Sequence, residues 1–365
     1  MQPGPLPPTS RRIKREPCRI LRSVANSPPL SAHDMSDPRG WLAMRMVTAG
    51  PRLSIGLPVY NGENYLAESI AALLGQTYED FELIISDNAS TDSTPAIISS
   101  FGRQDARIRY IRQPHNIGLN PNHNFVISQA RGELFKMASH DDLYARDLLK
   151  RCIDALDGHP EVVLAHCHEA MIDNTGTITR ALQYSVAADS PRAPERLRSL
   201  LFDGWDDYTY GVMRTSVLRR TQLHGSHHFA DRSINTELAL HGPFYLVPEA
   251  LYFRRDHPER TSPYTVRSRC AYLDPRRSSR LRHPVVRLYG EYLWSYVAAI
   301  WKAPLSPQDR RECYGLLARW MAGRAAPVAR RTVGGGALRG PEPSRVAIPA
   351  VSVNALVAGR EGMSS

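Results

Sequence analysis

Residues 53–88 read LSIGLPVYNGENYLAESIAALLGQTYEDFELIISDN. The run from Leu53 to Pro58 is short and apolar and closes on Pro58 and then Asn61-Gly62, which predicts a buried strand followed by a turn. From Glu63 to Gln76, Leu66, Ile70, Leu73 and Leu74 recur at helical spacing. Phe81 to Ser86 is a second apolar run, ending in Asp87-Asn88. Strand, helix and strand in this order predict a parallel pair joined by a right-handed crossover.

The alternation continues outward. Thr91 to Phe101 reads as a helix, with Asp92 or Ser93 as its cap and Pro95 in its first turn. Ile108 to Ile111 reads as a third strand, Asn122 to Ala130 as a helix, and Leu134 to Ala138 as a fourth strand ending in His140-Asp141-Asp142. A helix from Leu143 to Leu156 and a fifth strand from Val162 to His166 follow. The expected fold is α/β with parallel strands, and in such sheets ligands bind beyond the carboxyl ends of the strands. The polar pairs Tyr60-Asn61, Asp87-Asn88, His115-Asn116 and Asp141-Asp142 all fall at those ends. Turn chemistry accounts for any one of them, but four at one edge predict a shared crevice. The chain has neither GxGxxG after the first strand nor GxxxxGK[ST], which excludes a dinucleotide fingerprint and a P-loop.

Composition sets the limits around this core. The chain has 365 residues, 42% hydrophobic and 22% charged, which is ordinary globular usage. The formal net charge of +10 is unevenly placed. Residues 1–50 hold eight Lys/Arg and three Asp/Glu, and residues 265–365 hold seventeen and six, so the central block is mildly acidic. A nucleic-acid binder carries its excess charge on the folded face that meets phosphate, so no nucleic-acid partner is expected; basic ends fit an anionic membrane surface at least as well. The basic residues are nearly all arginine, a mark of a GC-rich bacterial genome. Cys18, Cys152, Cys167, Cys270 and Cys313 form no CxxC pair and read as reduced thiols. There is no apolar run of spanning length and no signal-peptide pattern near the N-terminus, so a cytoplasmic protein is expected, with peripheral contact at the inner face of the plasma membrane if it meets lipid at all. The expected organisation is a disordered basic segment at 1–50, an α/β domain at 51–264, a helical extension at 265–323 and a loose tail at 324–365.

Four motifs carry a family resemblance. Pro58-Val-Tyr-Asn61 with Glu63 and Leu66, then Ser86-Asp87-Asn88-Ala-Ser90-Thr-Asp92, then Asn116-Ile-Gly118, then His140-Asp141-Asp142, resemble the family-2 inverting glycosyltransferases of GT-A fold. The resemblance runs from about Arg52 to Pro258. It implies a Rossmann-like, mostly parallel central sheet flanked by helices, followed here by a helical extension. It also implies a metal-dependent transferase that moves a sugar from a nucleotide-sugar donor to an acceptor hydroxyl, in bacterial cell-envelope glycolipid or polysaccharide synthesis.

The resemblance assigns roles residue by residue. Pro58, Tyr60, Asn61 and Glu63 would wrap the base and ribose, Asp87 would accept a base N–H, and Asn116 and Gly118 would complete the donor site. Asp142 would ligate Mg²⁺ or Mn²⁺, with Asp141 on ribose or a metal-bound water. Two adjacent carboxylates repel, and a divalent cation relieves that repulsion. Helix capping is the competing use for Asp87 and for Asp141-Asp142. The family more often shows Asp-x-Asp where this chain has His140. Asp231 would be the general base, with Glu237 as fallback, although the usual Glu-Asp pair is here Ala230-Asp231. Arg214 would approach the donor phosphate, and the segment Leu251 to Pro258 could supply His257 to the metal or Arg254 and Arg255 to the diphosphate. The departures at His140 and Ala230 leave a second reading, a sugar-nucleotide-binding regulatory or scaffold protein without turnover.

The C-terminal part is less legible. Pro284 to Lys302 carries Val286, Leu288, Tyr289, Leu293, Trp294, Val297 and Ile300 broadly on one side of a helix, and Pro307 to Gly323 carries Leu316, Leu317, Trp320 and Met321. These helices either pack on the preceding domain or lie on anionic lipid.

Overall fold

A computed structural model describes residues 50–183, 188–203, 208–257, 265–330 and 344–346. The segment expected to be disordered, 1–50, lies outside the described residues except for Gly50.

Four strands form the parallel heart of the sheet: β1 (Leu53–Val59), β2 (Phe81–Asp87), β3 (Ile108–Arg112) and β4 (Leu134–Met137). β1 sits between β2 and β4, and β3 lies outside β2. The register runs Leu53↔Phe81 to Val59↔Asp87, and Leu53↔Leu134 to Gly56↔Met137. Every residue of β1, β2 and β4 is buried, as expected for strands covered on both faces. The crossover helices are α1 (Leu66–Leu74), α2 (Thr94–Gly102) and α3 (Leu119–Gln129). α1 buries Leu66, Ile70 and Leu73, the residues whose spacing marked it as a helix. Pro95 stands in the first turn of α2, where its missing N–H costs nothing.

Beyond β4 the parallel pattern breaks. Leu143–Tyr144 is a short strand, β5, and the next helix, α4, begins only at Leu148 and ends at Gly158. Asp141-Asp142 therefore do not cap a helix at Leu143. The fifth predicted strand, β6 (Leu164–Ile172), does not extend the parallel set either. β8 (Val212–Arg214) is inserted between β4 and β6 and is antiparallel to both. β6 also pairs antiparallel with β7 (Ile178–Gln183) and parallel with the long β9 (Phe244–Arg255). β9 bends across to pair with β5 through Leu143↔Phe253 and Tyr144↔Tyr252. The strand β10 (Ser344–Val346) adds to β7. Local periodicity marks a strand but not its partner, and a three-residue strand such as β8 is too short to mark itself.

The remaining helices are α5 (Ala193–Phe202), α6 (Thr215–Leu218), α7 (Ala230–His241), α8 (Val266–Leu273), α9 (Val285–Lys302) and α10 (Pro307–Arg330). α10 runs seven residues past the expected boundary at 323. α5, α9 and α10, with Leu240 near the end of α7, build a separate apolar cluster that includes Leu197, Tyr292, Tyr296, Ile300, Leu316, Leu317 and Trp320. The apolar residues expected on one side of α9 divide between two faces. Leu288 and Ile300 are buried with Tyr292 and Tyr296, whereas Val286, Tyr289 and Trp294 are exposed. Cys152, Cys167, Cys270 and Cys313 are free and buried. Among the described residues no helix is long and apolar enough to cross a membrane.

Candidate active site

The loops after β1, β2, β3 and β4 join into one rim at the carboxyl edge. The first two are zipped together: Asn61 N donates to Ser90 Oγ at 2.9 Å, Thr91 N to Asn61 Oδ1 at 2.9 Å, and Gly62 N to Thr94 Oγ1 at 2.8 Å. Glu63 and Asp92 serve each other's backbones, with Ser93 N on Glu63 Oε2 and Glu63 N on Asp92 Oδ2. Glu63 thus tethers the start of α2. Asn61 is left-handed at φ 51°, a conformation asparagine tolerates. Tyr60 is exposed beside it, and Pro58 is buried within β1.

The third loop is tied in by amides. Asn88 Nδ2 donates to Asn116 Oδ1 at 3.0 Å, and Ile117 N donates to Asn88 Oδ1 at 2.8 Å. Gly118 has φ 94°, and a Cβ there would stand 2.4 Å from Pro275 Cδ and 2.9 Å from Leu273 O. The loop that helps to build the rim is therefore also the seat of α8's C-terminal end. The fourth loop closes the line: Gly62 lies against the His140 ring, and Ser69 Oγ donates to Ser139 O at 2.7 Å.

Asp87 is fully buried. Its Oδ1 accepts from Ser90 N at 2.8 Å, its Oδ2 accepts from the Tyr110 hydroxyl at 3.0 Å, and the Arg112 guanidinium stands 3.3 Å away. The carboxylate thus anchors its own turn and faces a cation.

Asp141 and Asp142 differ sharply. Asp142 is completely buried; the Tyr252 hydroxyl donates to its Oδ2 and Arg255 N to its Oδ1 at 2.9 Å. It pins β9 to the β4 loop, so both oxygens of the residue expected to ligate a metal have protein partners. Asp141 accepts from Ser139 Oγ on one oxygen, and its Oδ2 lies 3.0 Å from His257 Nε2. If Nε2 carries the proton, Nδ1 presents a lone pair, and Nδ1 has no partner among the described residues. The His257 ring lies 5.1 Å from that of Tyr65, in the first loop. A carboxylate that orients an imidazole with its other nitrogen open is the outer-shell pattern of metal-binding histidines. His257 Nδ1, oriented by Asp141, therefore fits one ligand position of a divalent cation, although among the described residues no three His, Cys, Asp or Glu side chains form a ready-made metal cage.

Sequence reading missed the supports beneath this pair. Arg255 is fully buried; its Nε donates to Asp141 O at 2.9 Å, it pairs with Glu68 at 2.7 Å, and its guanidinium lies 4.5 Å from the centre of the Tyr65 ring. It is a brace for the aspartate loop, not an arm toward a diphosphate. Lys136 is also fully buried, donates to Tyr210 O and stands 5.2 Å from the Tyr144 ring centre. Burial pushes its ammonium down to about 8. Tyr252 and Arg255 lie in the quoted run to His257, but nothing in their spacing reveals a buried partner across the sheet.

The other expected site residues separate. Arg214 pairs in register with Leu134, at the amino end of β4, and its guanidinium donates to the carbonyls of Val162, Leu156 and His159. It is at the wrong edge of the sheet for donor phosphate, because the antiparallel β8 carries it away. Asp231 is half-buried in the first turn of α7, after Phe229 in the left-handed region. Glu237, two turns on, is buried; its Oε2 accepts from Gln222 N at 2.8 Å, and burial raises its carboxyl above the usual range. Glu237 faces the packing beneath α9, where Gln222 also donates to Ser295 O. His166 is buried edge-on to the Tyr208 ring and pushed down to about 3, a core histidine.

With this geometry in place, similarity becomes informative. Residues 54–226 match the profile of Glycosyl transferase family 2. The domain is a family-2 glycosyltransferase domain. The chain is 34% identical to an uncharacterized glycosyltransferase of Rickettsia typhi over 160 residues, 44% of this chain and 48% of that protein. It is 24% identical to glycosyltransferase GlyG of Streptococcus pneumoniae, over 56% of this chain and 68% of GlyG. For several of these relatives the match spans about half of their length or less. The structure of S. aureus TarS 1–349 superposes with a TM-score of 0.55 at 18% identity, covering 76% of this chain and 73% of TarS. That likeness supports the GT-A fold.

Proposed function

We propose that the chain is a divalent-cation-dependent inverting glycosyltransferase that moves one sugar from a nucleotide-sugar donor to an acceptor hydroxyl by single displacement. The carrying observation is the Asp141–His257 pair at the carboxyl edge of a parallel sheet, next to a rim built from the loops after β1, β2 and β3. In this reading the loop Tyr60–Glu63 and Asp87 receive the base and ribose. The metal role belongs to His257, with Asp141 as the carboxylate that orients its ring and Asp142 as the tie that holds their loop. A Mg²⁺ or Mn²⁺ held at His257 Nδ1, with Asp141 orienting the imidazole through Nε2, would supply charge neutralisation at the departing diphosphate. Asp231 takes the acceptor proton as the hydroxyl attacks the anomeric carbon, and inversion follows from a single in-line attack.

The acceptor belongs by the same reading to an envelope glycolipid or polysaccharide. A TarS 1–349 structure contains UDP-GlcNAc, which makes uridine diphosphate sugars the first donors to test. The experiment is a thermal-shift panel of nucleotide sugars with and without Mn²⁺ or Mg²⁺, followed by donor turnover on the best binder. Stabilisation that needs both metal and sugar nucleotide supports the proposal. If no nucleotide sugar raises the melting temperature under either condition, the reading is wrong. Binding without turnover in the presence of acceptor extracts favours the scaffold reading instead.

A further inference from the structure

Helix α9 has two apolar faces and buries only one. On its inner face, Tyr292 lies with its ring 5.6 Å from those of Phe229 and His227, and Tyr296 and Ile300 enter the helical cluster. On its outer face stand Val286, Trp294 and Trp301, which are 79%, 66% and 69% exposed. Spacings of eight and seven residues place them on one side of the helix. Tyr289, 43% exposed, borders the stripe, and Leu281 in the preceding turn is 94% exposed.

The border of this face is basic. Residues 265–302 hold eight Lys/Arg against two Asp/Glu. Both acids are engaged: Asp274 holds Arg276 and Ser226, and Glu291 holds Arg277 and Arg287. Arg280 and Arg282 flank Leu281 and are exposed, as is Lys302 at the far end of the helix.

We infer that the outer face of α9 docks on an anionic lipid surface. Leu281, Val286, Trp294 and Trp301 enter the boundary between headgroups and acyl chains, where tryptophan is favoured, and Arg280, Arg282 and Lys302 meet lipid phosphates. Charge selects this occupant over a second copy of the chain. A self-interface through this face would oppose arginine to arginine, whereas an anionic leaflet offers roughly 1 kcal/mol per basic residue near its surface. The placement also serves the chemistry. α9 is about 10–12 Å across, and its inner face touches Phe229, two residues before Asp231. Docking by the outer face would hold the lipid plane about one helix diameter from the start of α7, within reach of a hydroxyl on a membrane-anchored acceptor.

The test is flotation of the full chain with vesicles of phosphatidylcholine alone and of phosphatidylcholine with phosphatidylglycerol, without any nucleotide sugar. Binding to the anionic vesicles is expected, with a blue shift of tryptophan emission and weakening in high salt. The exposed-residue variant Trp294→Ser/Trp301→Ser should lose about tenfold or more in vesicle affinity, and Arg280→Ser/Arg282→Ser should lose most of the preference for anionic lipid, both at parental melting temperature. Equal binding by parent and tryptophan variant overturns the proposal, because another part of the chain then holds the membrane. Equal binding to neutral and anionic vesicles also overturns it. So does a parent that ignores vesicles but sediments as a dimer that the tryptophan variant dissociates. The transferase reading is scored separately: failure of donor turnover leaves vesicle binding untouched, and the reverse holds too.

Discussion

His257 Nε2 stands 3.0 Å from Asp141 Oδ2, while His257 Nδ1 has no partner among the described residues. Asp141 thus faces an imidazole and Ser139, whereas the neighbouring Asp142 holds the Tyr252 hydroxyl and Arg255 N of β9. On the proposed reading one carboxylate orients a metal-binding imidazole and the other ties β9 to the aspartate loop, and the two should respond differently to the same change. Asp141→Asn should remove most of the metal-dependent rise in melting temperature given by a sugar nucleotide, at nearly unchanged intrinsic stability. Asp142→Asn should instead lower stability by about 1–3 kcal/mol, since Tyr252 and Arg255 N lose a charged acceptor in a buried place. Melting curves of both variants, with and without Mn²⁺ and donor, decide. Equal stability with lost metal response in Asp142→Asn would return the ligand role to that residue.

Gly118 couples the donor rim to the C-terminal helices. At φ 94° an alanine costs about 1–3 kcal/mol in backbone strain alone, and its Cβ would stand 2.4 Å from Pro275 Cδ. Gly118→Ala should lower the melting temperature and raise proteolytic cleavage around 265–280 before the rest of the domain is cut. A variant with parental stability would show that this contact is dispensable.

The parallel core was legible because each of its strands is a short apolar run closed by turn residues, and buried strands leave that mark. The motifs at the strand ends were legible for a related reason: the carboxyl edge gathers Asn, Asp and His in four successive loops, where a turn alone needs fewer. What escaped was set by partners distant in sequence. Arg214 carries the same side chain at either edge of a sheet, and only the antiparallel pairing of β8 sends it to the amino end. The division of labour between Asp141 and Asp142 depends on Tyr252 and Arg255, more than a hundred residues away. The two faces of α9 were blurred because both are apolar, so periodicity found no polar side to contrast.

Buried histidines should make the fold acid-sensitive. Burial pushes His123 down to about 4 and His224 to about 3, and their rings lie 5.1 Å apart. Their folded values lie below the unfolded 6.5, so the unfolded chain binds more protons through that interval. Stability is then fully present above about pH 6.5 and falls as pH drops toward 4, by up to about 1.4 kcal/mol per unit for each group. Melting temperature should decline over this window, and His224→Leu should flatten the slope. An identical slope in that variant would assign acid sensitivity elsewhere.

Asp231 and Glu237 share α7 and differ in surroundings, and that difference is the sharpest test of the mechanism. Asp231 is half-buried in the first turn, where a carboxylate can meet an incoming hydroxyl. Glu237 is buried against Gln222, with its carboxyl raised by burial. Asp231→Asn keeps shape and most hydrogen bonding but cannot take a proton, and loss of a general base costs about 10²–10⁴ in rate. The expected signature is a collapse in kcat with donor affinity and melting temperature nearly unchanged. Glu237→Gln should leave kcat near parental. Its effect should appear in stability: a buried carboxyl with a raised value contributes fully at low pH and loses that contribution as pH rises through the folded value. Removing the charge should therefore flatten the loss of stability that the parent shows as pH rises above the usual carboxylate range. Turnover, donor affinity and melting temperature measured on both variants separate the roles. A dead Glu237→Gln beside an active Asp231→Asn would place the base nearly two turns deeper in the helix and overturn the assignment to Asp231.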